Sequence, residues 1–499
     1  MKNLNRISLL LILSLLMSSC AFGGEGNTDS TGGDSTADTV NNESLSETRK
    51  SIDDGLSEYE GLYSGYTFRL TASDGNEAYL VVEEDELGDV VNKAVHDRNI
   101  AVEERFGCTI EVVHTAKESE AANYIRKCVM TMEDAFDLTC HHVVSQGGLA
   151  LSDYYINWYD IPAVDFSKPW WSDSTVEDLS FNDNCYIAIG DVALTARSNA
   201  YCVYFNKTDA EKYNLPNLYE VVYDGEWTID YILELTKDVY DDLNRNNQID
   251  DGDYFGYVTD PNSNITAYQW AFENPVFKTT GDSIEIVYKT EKIVDIVEKL
   301  VEAVNLGQIR TNKNYVNSIG KTAHWYGIEM FAKGQALFSN GYIAQSLSHL
   351  RDMEDDYGIL PYPKWNEEQE EYHTMADGNH TSLAVPKTVT DDRIEFVGVI
   401  TEAMCAESYK ILLPAYYDEA LKLKGTRDDE SIQMIEYVVD SCVYDMGYVY
   451  DNWKGLSFLL QQLVANGDTN FESFYASKSS SALAHYDKVI NYFETGSID

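Results

Sequence analysis

The sequence predicts an α/β protein of two lobes, and three observations carry that reading. Its 499 residues exceed what one ordinary hydrophobic core organises. Between about residues 66 and 142, stretches of strand-like alternation take turns with stretches of helical spacing, which implies a parallel sheet with right-handed crossovers. A second series of such stretches follows the apolar run 201–206, which is placed to carry the chain into another lobe.

Taken in order, residues 66–71 alternate as a strand. Val90, Val91, Ala94, Val95, Ala101, Val102 and Phe106 recur at helical spacing, and Gly107 ends that helix. A strand at 109–113, a helix at 121–132 and a strand at 136–141 complete the first series. Ligands of such sheets gather at the carboxyl ends of the strands, here Asp137 and the run from Cys140-His141-His142 to Gln146. In the second lobe Thr228 caps a helix through Ile232, Leu233, Thr236 and Val239, with Trp227 before it as a pin. Strands at 254–257 and 284–288 and a helix through Ile293, Val297, Leu300 and Val304 follow. Gly341 opens another helix, residues 357–361 turn back towards the first lobe, and 383–386 form a short strand before a mainly helical remainder. The lobes are thus expected at 59–200 plus 365–415 and at 201–364 plus 416–499.

The N-terminus sets the compartment. Lys2 and Arg6 precede an apolar run, 7–17, too short to span a bilayer but right for a signal peptide over residues 1–19. Residues 20–58 are mostly Gly, Ser, Thr, Asp and Asn, a flexible tether without the apolar content to fold. Acids outnumber bases 84 to 36, a formal charge of -48 that repels nucleic acid and anionic membrane surfaces. The 36 tyrosines supply many groups able to stack on a ligand and hydrogen-bond it. Seven of the cysteines, from Cys108 to Cys442, are widely spaced within apolar runs, as buried free thiols are.

Residues 242–253 read as a cation loop. Asp242, Asn244, Asn246, Asp250 and Asp253 place oxygens at positions one, three, five, nine and twelve, and Gln248 offers its backbone carbonyl at seven. Asn247 occupies the turn position where Gly is usual, so a structural calcium ion is expected. Gly320-Lys321-Thr322 imitates the end of a phosphate loop, but Tyr315 stands where that loop needs Gly. No H-E-x-x-H, G-x-S-x-G or Gly-rich dinucleotide turn occurs.

Several stretches resemble one family. They are Tyr204-Phe-Asn-Lys207, Asp224-Gly-Glu-Trp-Thr228, Gly334-Gln-Ala-Leu-Phe-Ser-Asn-Gly341, Asp356-Tyr-Gly-Ile-Leu-Pro-Tyr-Pro363 and Ala384-Val-Pro-Lys387. In this order they are similar to extracellular solute-binding proteins of the carbohydrate family 1, the lipoprotein receptors of ABC importers, distantly maltose-binding-protein-like. The run Leu16-Met17-Ser18-Ser19-Cys20 likewise resembles a lipobox, which makes Cys20 the lipidated first residue of the mature chain. The resemblance implies a two-lobe periplasmic-binding-protein-like fold (type II), a hinge crossed more than once, and a ligand trapped between the lobes. It implies a non-catalytic, monomeric receptor outside the cytoplasm, held by lipid alone, that delivers a sugar or oligosaccharide to ABC permease subunits.

Sugars are held by aromatic faces on the C–H side of the ring and by polar groups on the hydroxyls. By resemblance, Tyr268, Trp270, Tyr342 and Trp453 are ligand-binding candidates, with Trp453 opening a helix over 453–463. Trp171, on a loop after Pro169, joins them without a family parallel. His142 is the candidate hydrogen-bonding group of the His141-His142 pair, since neighbours on a strand face opposite ways and chelate poorly. A secreted glycoside hydrolase, or a receptor for a peptide or a sensor kinase, are the alternatives.

Overall fold

β-Branched and aromatic runs pair into two separate sheets and a hairpin, in the chain order β1 (Thr67–Ser73), β2 (Thr109–Thr115), β3 (Leu138–His142), β4 (Tyr201–Asn206), β5 (Tyr240–Asp241), β6 (Tyr254–Val258), β7 (Phe277–Thr280), β8 (Ser283–Ile286), β9 (Ala336–Tyr342), β10 (Tyr357–Leu360) and β11 (Thr381–Ala384). This computed structural model describes residues 47–73, 79–82, 86–115, 117–280, 283–417 and 429–496. The signal peptide, Cys20 and most of the tether lie outside the described residues.

The first sheet has the order β11-β3-β1-β2. β1 runs parallel to β2 and β3, joined by the expected helices Val90–Phe106 and Glu118–Thr131. Gly107, at φ 78, closes the first of these helices in the left-handed conformation that suits glycine. β11 runs against β3, so the sheet is mixed where an all-parallel one was expected. Its edge strand arrives from the second lobe and needs no helical crossover.

The second sheet has the order β10-β4-β9-β6-β5. Gly341 does not open a helix: it lies within β9 opposite Cys202, because the apolar run continues past it. Nor do residues 357–361 leave the lobe, since β10 pairs along β4 from Tyr357↔Asn206 to Leu360↔Val203. The chain enters this sheet at Tyr201 and returns to the first between Leu360 and Thr381, so the hinge is crossed more than once. Trp227 pins the return, its indole N–H donating to the Pro361 carbonyl at 2.9 Å.

Buried charges lock the elements together. Asp137 is fully buried and accepts from both Arg69 and Arg393, each with an Nη2 contact of 2.8 Å. It precedes β3 at the amino end of the strand, opposite the end where ligands gather, and its role is to clamp. Arg98, also fully buried, donates to the carbonyls of Leu80 and Val192 and to Ser408 Oγ. Ser408 opens a π-helical stretch, Ser408–Leu412, that extends the helix Ile394–Glu407.

The chain joins the fold before residue 59. Asp54 is buried in an ion pair with Arg105 and Leu56 is buried beside it. At the other end, the helix Phe471–Thr495 serves both lobes: Tyr492 stacks on Tyr186 at 4.6 Å, and Tyr486 meets Phe277 at 4.9 Å. The seven described cysteines are free thiols, six of them buried. No described helix is long and apolar enough to cross a membrane.

Candidate ligand-binding site

At the carboxyl end of β3, His142 Nδ1 accepts from the Val144 N–H at 3.2 Å, so the ring caps the helix Val143–Ala150 and is held in place. Facing it from the second sheet, Tyr201 of β4 pairs with Tyr342 of β9. The turn Asp377-Gly378-Asn379, just before β11, lies between them. Its backbone is tied to the crossing by the Asp377 N–H, which donates to Asn199 O at 2.8 Å.

Asp377 is the centre of this arrangement. Its Oδ1 accepts from the Asn379 N–H at 3.0 Å and from Asn379 Nδ2 at 2.6 Å, and its Oδ2 accepts from the Tyr201 hydroxyl. Its charge acts on His142, His324, Tyr342 and Tyr448, which come from both lobes. Gly378 permits the close approach, since a Cβ there would stand 2.6 Å from the Tyr448 hydroxyl and 3.2 Å from His142 Cε1. Burial lowers the pKa of His142 and brings that of His380 down to about 4, so both imidazoles are neutral hydrogen-bonding groups near pH 7. Glu118, which accepts from Ser145 Oγ, adds a second carboxylate on the His142 side.

Two tryptophans are displayed here by left-handed backbone. Trp453 follows Asn452 with φ of 55 and 48, and it stays 55% exposed with its ring 5.7 Å from that of His142. The expected helix begins later, at Leu459, because these two residues leave helical geometry. Trp325, at φ 64, sits edge-on to His349 at 4.6 Å and lies within reach of the Tyr342 hydroxyl. Its backbone N–H donates to Asp260 Oδ2 at 2.9 Å. Side chains on such a backbone are costly, and they cluster where function holds them.

Three expected candidates are corrected by burial. Trp171 is in the core of the first lobe, where its indole N–H donates to Glu402 Oε2 at 2.9 Å and its ring packs on Phe166. Tyr268 is fully buried, bonded to the Tyr257 hydroxyl and packed on Tyr362 at 4.9 Å. Trp270 is buried too, its indole bonded to Asp445 at 3.0 Å and its ring set edge-on to Tyr448. The helix Ser263–Ala271 is buried from Asn264 onward, so neither aromatic presents a face to ligand. The structure brings together His142, Tyr342 and Trp453, and adds Asp377 and Trp325. An Asp-Gly turn ahead of a strand was the visible signal for Asp377. Trp325 gave none, because nothing local in the sequence announces a left-handed tryptophan.

No protein-family model matches this chain, and no curated protein matches it. Solved structures do. A galacto-N-biose/lacto-N-biose I-binding protein of an ABC transporter from Bifidobacterium longum, in complex with lacto-N-biose, aligns with TM-score 0.57 at 11% identity, over 85% of this chain and 97% of that one. An ABC transporter solute-binding protein from Agrobacterium radiobacter, in complex with ribitol, aligns with TM-score 0.53 at 11% identity, over 85% and 99%. The GacH receptor of Streptomyces glaucescens, solved unliganded and with acarbose, gives 0.51 at 11%, over 85% and 98%. The fold is that of two-lobe periplasmic solute-binding proteins. The Asp377 turn itself is bonded to Tyr201 of the second sheet and leads into β11 of the first.

The loop 242–253 turns its oxygens inward onto its own N–H groups. Asp242 accepts from the Asn246 and Asn247 N–H groups at 3.2 and 2.8 Å, Asn244 Oδ1 from Asn246 at 3.0 Å, and Asn246 Oδ1 from Gln248 at 2.7 Å. Asn247, at φ 56, takes the left-handed turn its position requires. Asp250 accepts from the side-chain amides of Asn244 and Asn246. Asp253 is fully buried: Oδ2 accepts from Tyr240 and from the Asp250 N–H, while Oδ1 has no hydrogen-bond partner. The donor set is all oxygen, as a hard cation needs, and Asp253 Oδ1 is an acceptor left over. Among the described residues, no three or more His, Cys, Asp or Glu side chains gather closely enough to hold a metal ion by themselves.

Proposed function

We propose that this protein is an extracytoplasmic receptor that captures a sugar or oligosaccharide between its lobes and delivers it to an ABC importer. The observation that carries this reading is the convergence of Trp453 and His142 with Tyr201, Tyr342 and Trp325 on the Asp377 carboxylate. The exposed face of Trp453 and the half-buried Tyr342 and Trp325, beside fixed acceptors, match the two sides of a pyranose ring. The similar proteins with bound lacto-N-biose, ribitol or acarbose support the same class of ligand. The signal-peptide pattern ending in Cys20 supports a lipid anchor outside the cytoplasm. Cys20→Ala is then expected to release the protein from the membrane fraction.

The role is capture without chemistry. Incubation with labelled oligosaccharides tests it: retention of intact sugar with a raised melting temperature is expected, because a ligand that binds only the folded state stabilises it. Cleavage of the sugar overturns the reading in favour of a hydrolase, and stabilisation by peptides alone overturns the sugar assignment. Calcium in the loop 242–253 is part of the proposal, supported by the orphan Asp253 Oδ1 and the five side-chain oxygens. A chelator is expected to lower the melting temperature, and Asp242→Ala to abolish that response. Identical melting curves with and without chelator remove the metal.

A further inference from the structure

The cleft holds carboxylates without counter-cations. Asp377 accepts only from neutral donors, the Asn379 N–H and amide and the Tyr201 hydroxyl, and is 8% exposed. No described lysine or arginine forms an ion pair with it, and the nearby His142 and His380 are neutral near pH 7. Lys321, on the loop carrying His324, acts on that imidazole and is exposed to solvent. Asp260, behind Trp325, accepts the N–H groups of Trp325 and Gly327, and Glu118 accepts from Ser145. Neither has a cationic partner among the described residues.

Other deep carboxylates of the protein are treated differently. Asp137 has two guanidinium groups, Asp54 has Arg105, and Asp191 has Arg197 at 2.7 Å. Asp445 and Glu402 have no cation and are enclosed by indoles and N–H donors in the interior, Asp451 is enclosed by the Tyr486 hydroxyl and the N–H groups of Gly455 and Ser457, and Asp253 belongs to the loop 242–253. Desolvated charge is tolerated when it is paired, and a carboxylate that opens on a cleft can find its partner in the ligand. The exposed face of Trp453, beside His142, adds cation–π attraction to any ammonium group held there, and the half-buried Trp325 and Tyr342 line the other side. The formal charge of -48 draws cations towards the whole molecule.

We propose that the sugar taken by this cleft carries a protonated amine, as hexosamines do, and that Asp377 is the residue that selects it. The inference rests on the receptor reading above and narrows its ligand class. An ammonium group offers three donors where a hydroxyl offers one. It neutralises Asp377, whereas an N-acetyl group or a hydroxyl leaves the charge uncompensated as the lobes exclude water. A uronic acid brings a second negative charge to the same place.

Calorimetric titration of the intact protein with β-1,4-linked glucosamine disaccharide, N,N′-diacetylchitobiose, cellobiose and glucuronic acid tests this, since the three disaccharides share a skeleton and differ at one ring position. The free-amine disaccharide is expected to bind at least tenfold tighter than its acetylated and hydroxyl counterparts, with glucuronic acid weakest. Its advantage is expected to shrink as salt rises and to vanish in Asp377→Asn, which keeps the shape of the turn. The comparison among ligands on the natural protein stands whether or not that variant folds. A neutral or acidic sugar that binds as well as the amine overturns the inference and leaves the receptor reading intact. If no saccharide in a broad screen binds, the receptor reading falls and the inference falls with it.

Discussion

Glu402 shows how much one buried group sets the conditions under which the protein is stable. Each of its carboxyl oxygens accepts an indole N–H, from Trp170 at 2.7 Å and Trp171 at 2.9 Å. Burial pushes its pKa up to about 7, against the pull of those donors. The folded pKa is above the unfolded one, so its contribution to stability is complete below about pH 4.5 and is lost as pH rises through 7. The loss is on the order of 3 kcal/mol at most. Glu402→Gln is expected to flatten the fall in melting temperature between pH 5 and 8 as well as to lower the curve, a change of slope that lost packing alone would not produce. Trp453 belongs to the same scale. Its exposed ring is held by strained backbone and covers little core, so Trp453→Ala is expected to weaken sugar binding by roughly 1–3 kcal/mol, read by calorimetry, with the melting temperature unchanged.

At the scale of elements, Asp137 joins β1, the start of β3 and the helix Ile394–Glu407 through Arg69 and Arg393. Asp137→Ala leaves two guanidinium groups without their buried partner and is expected to cost roughly 3–5 kcal/mol in chemical denaturation. Replacement with a loss under about 1 kcal/mol would show that water serves both arginines equally well. The elements themselves were largely legible: the helices Val90–Phe106 and Glu291–Asn305 and the strand Tyr201–Asn206 follow from apolar spacing that local chemistry dictates. What spacing does not carry is direction and exposure. β11 runs antiparallel because of where the chain comes from. Trp171 and Trp270 read like surface platforms until Glu402 and Asp445, far along the sequence, prove to hold their indoles. The resemblance singled out Trp453, whose ring the structure leaves exposed beside His142, whereas Trp325 became visible only once β9 brought Tyr342 near it.

For the whole molecule, the carboxyl groups that burial makes harder to ionise and the hinge make linked demands. Asp260 and Asp445 are both pushed up to about 6 by burial, in the same direction as Glu402. Their stabilising contributions are complete below about pH 4 and fade as pH rises through 6. The buried imidazoles His141, His142 and His380 are lowered by burial and act in the opposite sense, gaining stability as pH rises towards 6.5, so the carboxyl contribution is read by difference. Asp445→Asn is expected to lose less melting temperature than the natural protein between pH 5 and 8, and parallel curves for the two would contradict the shift at Asp445. Asp260 sits against Trp325 and so couples this balance to the cleft. Ligand that touches both the His142 side and the Tyr342 side binds the closed arrangement better than the open one, and shifts their populations by that difference in affinity. Sugar is expected to compact the protein in solution scattering, with a smaller radius of gyration at saturation. The compaction should be lost in Tyr342→Ala at sugar concentrations that saturate the natural protein, because that substitution removes an aromatic face from one side only. Saturating sugar that leaves the scattering curve unchanged would mean that the lobes are already closed around an empty cleft, and that capture depends on a rarer open form.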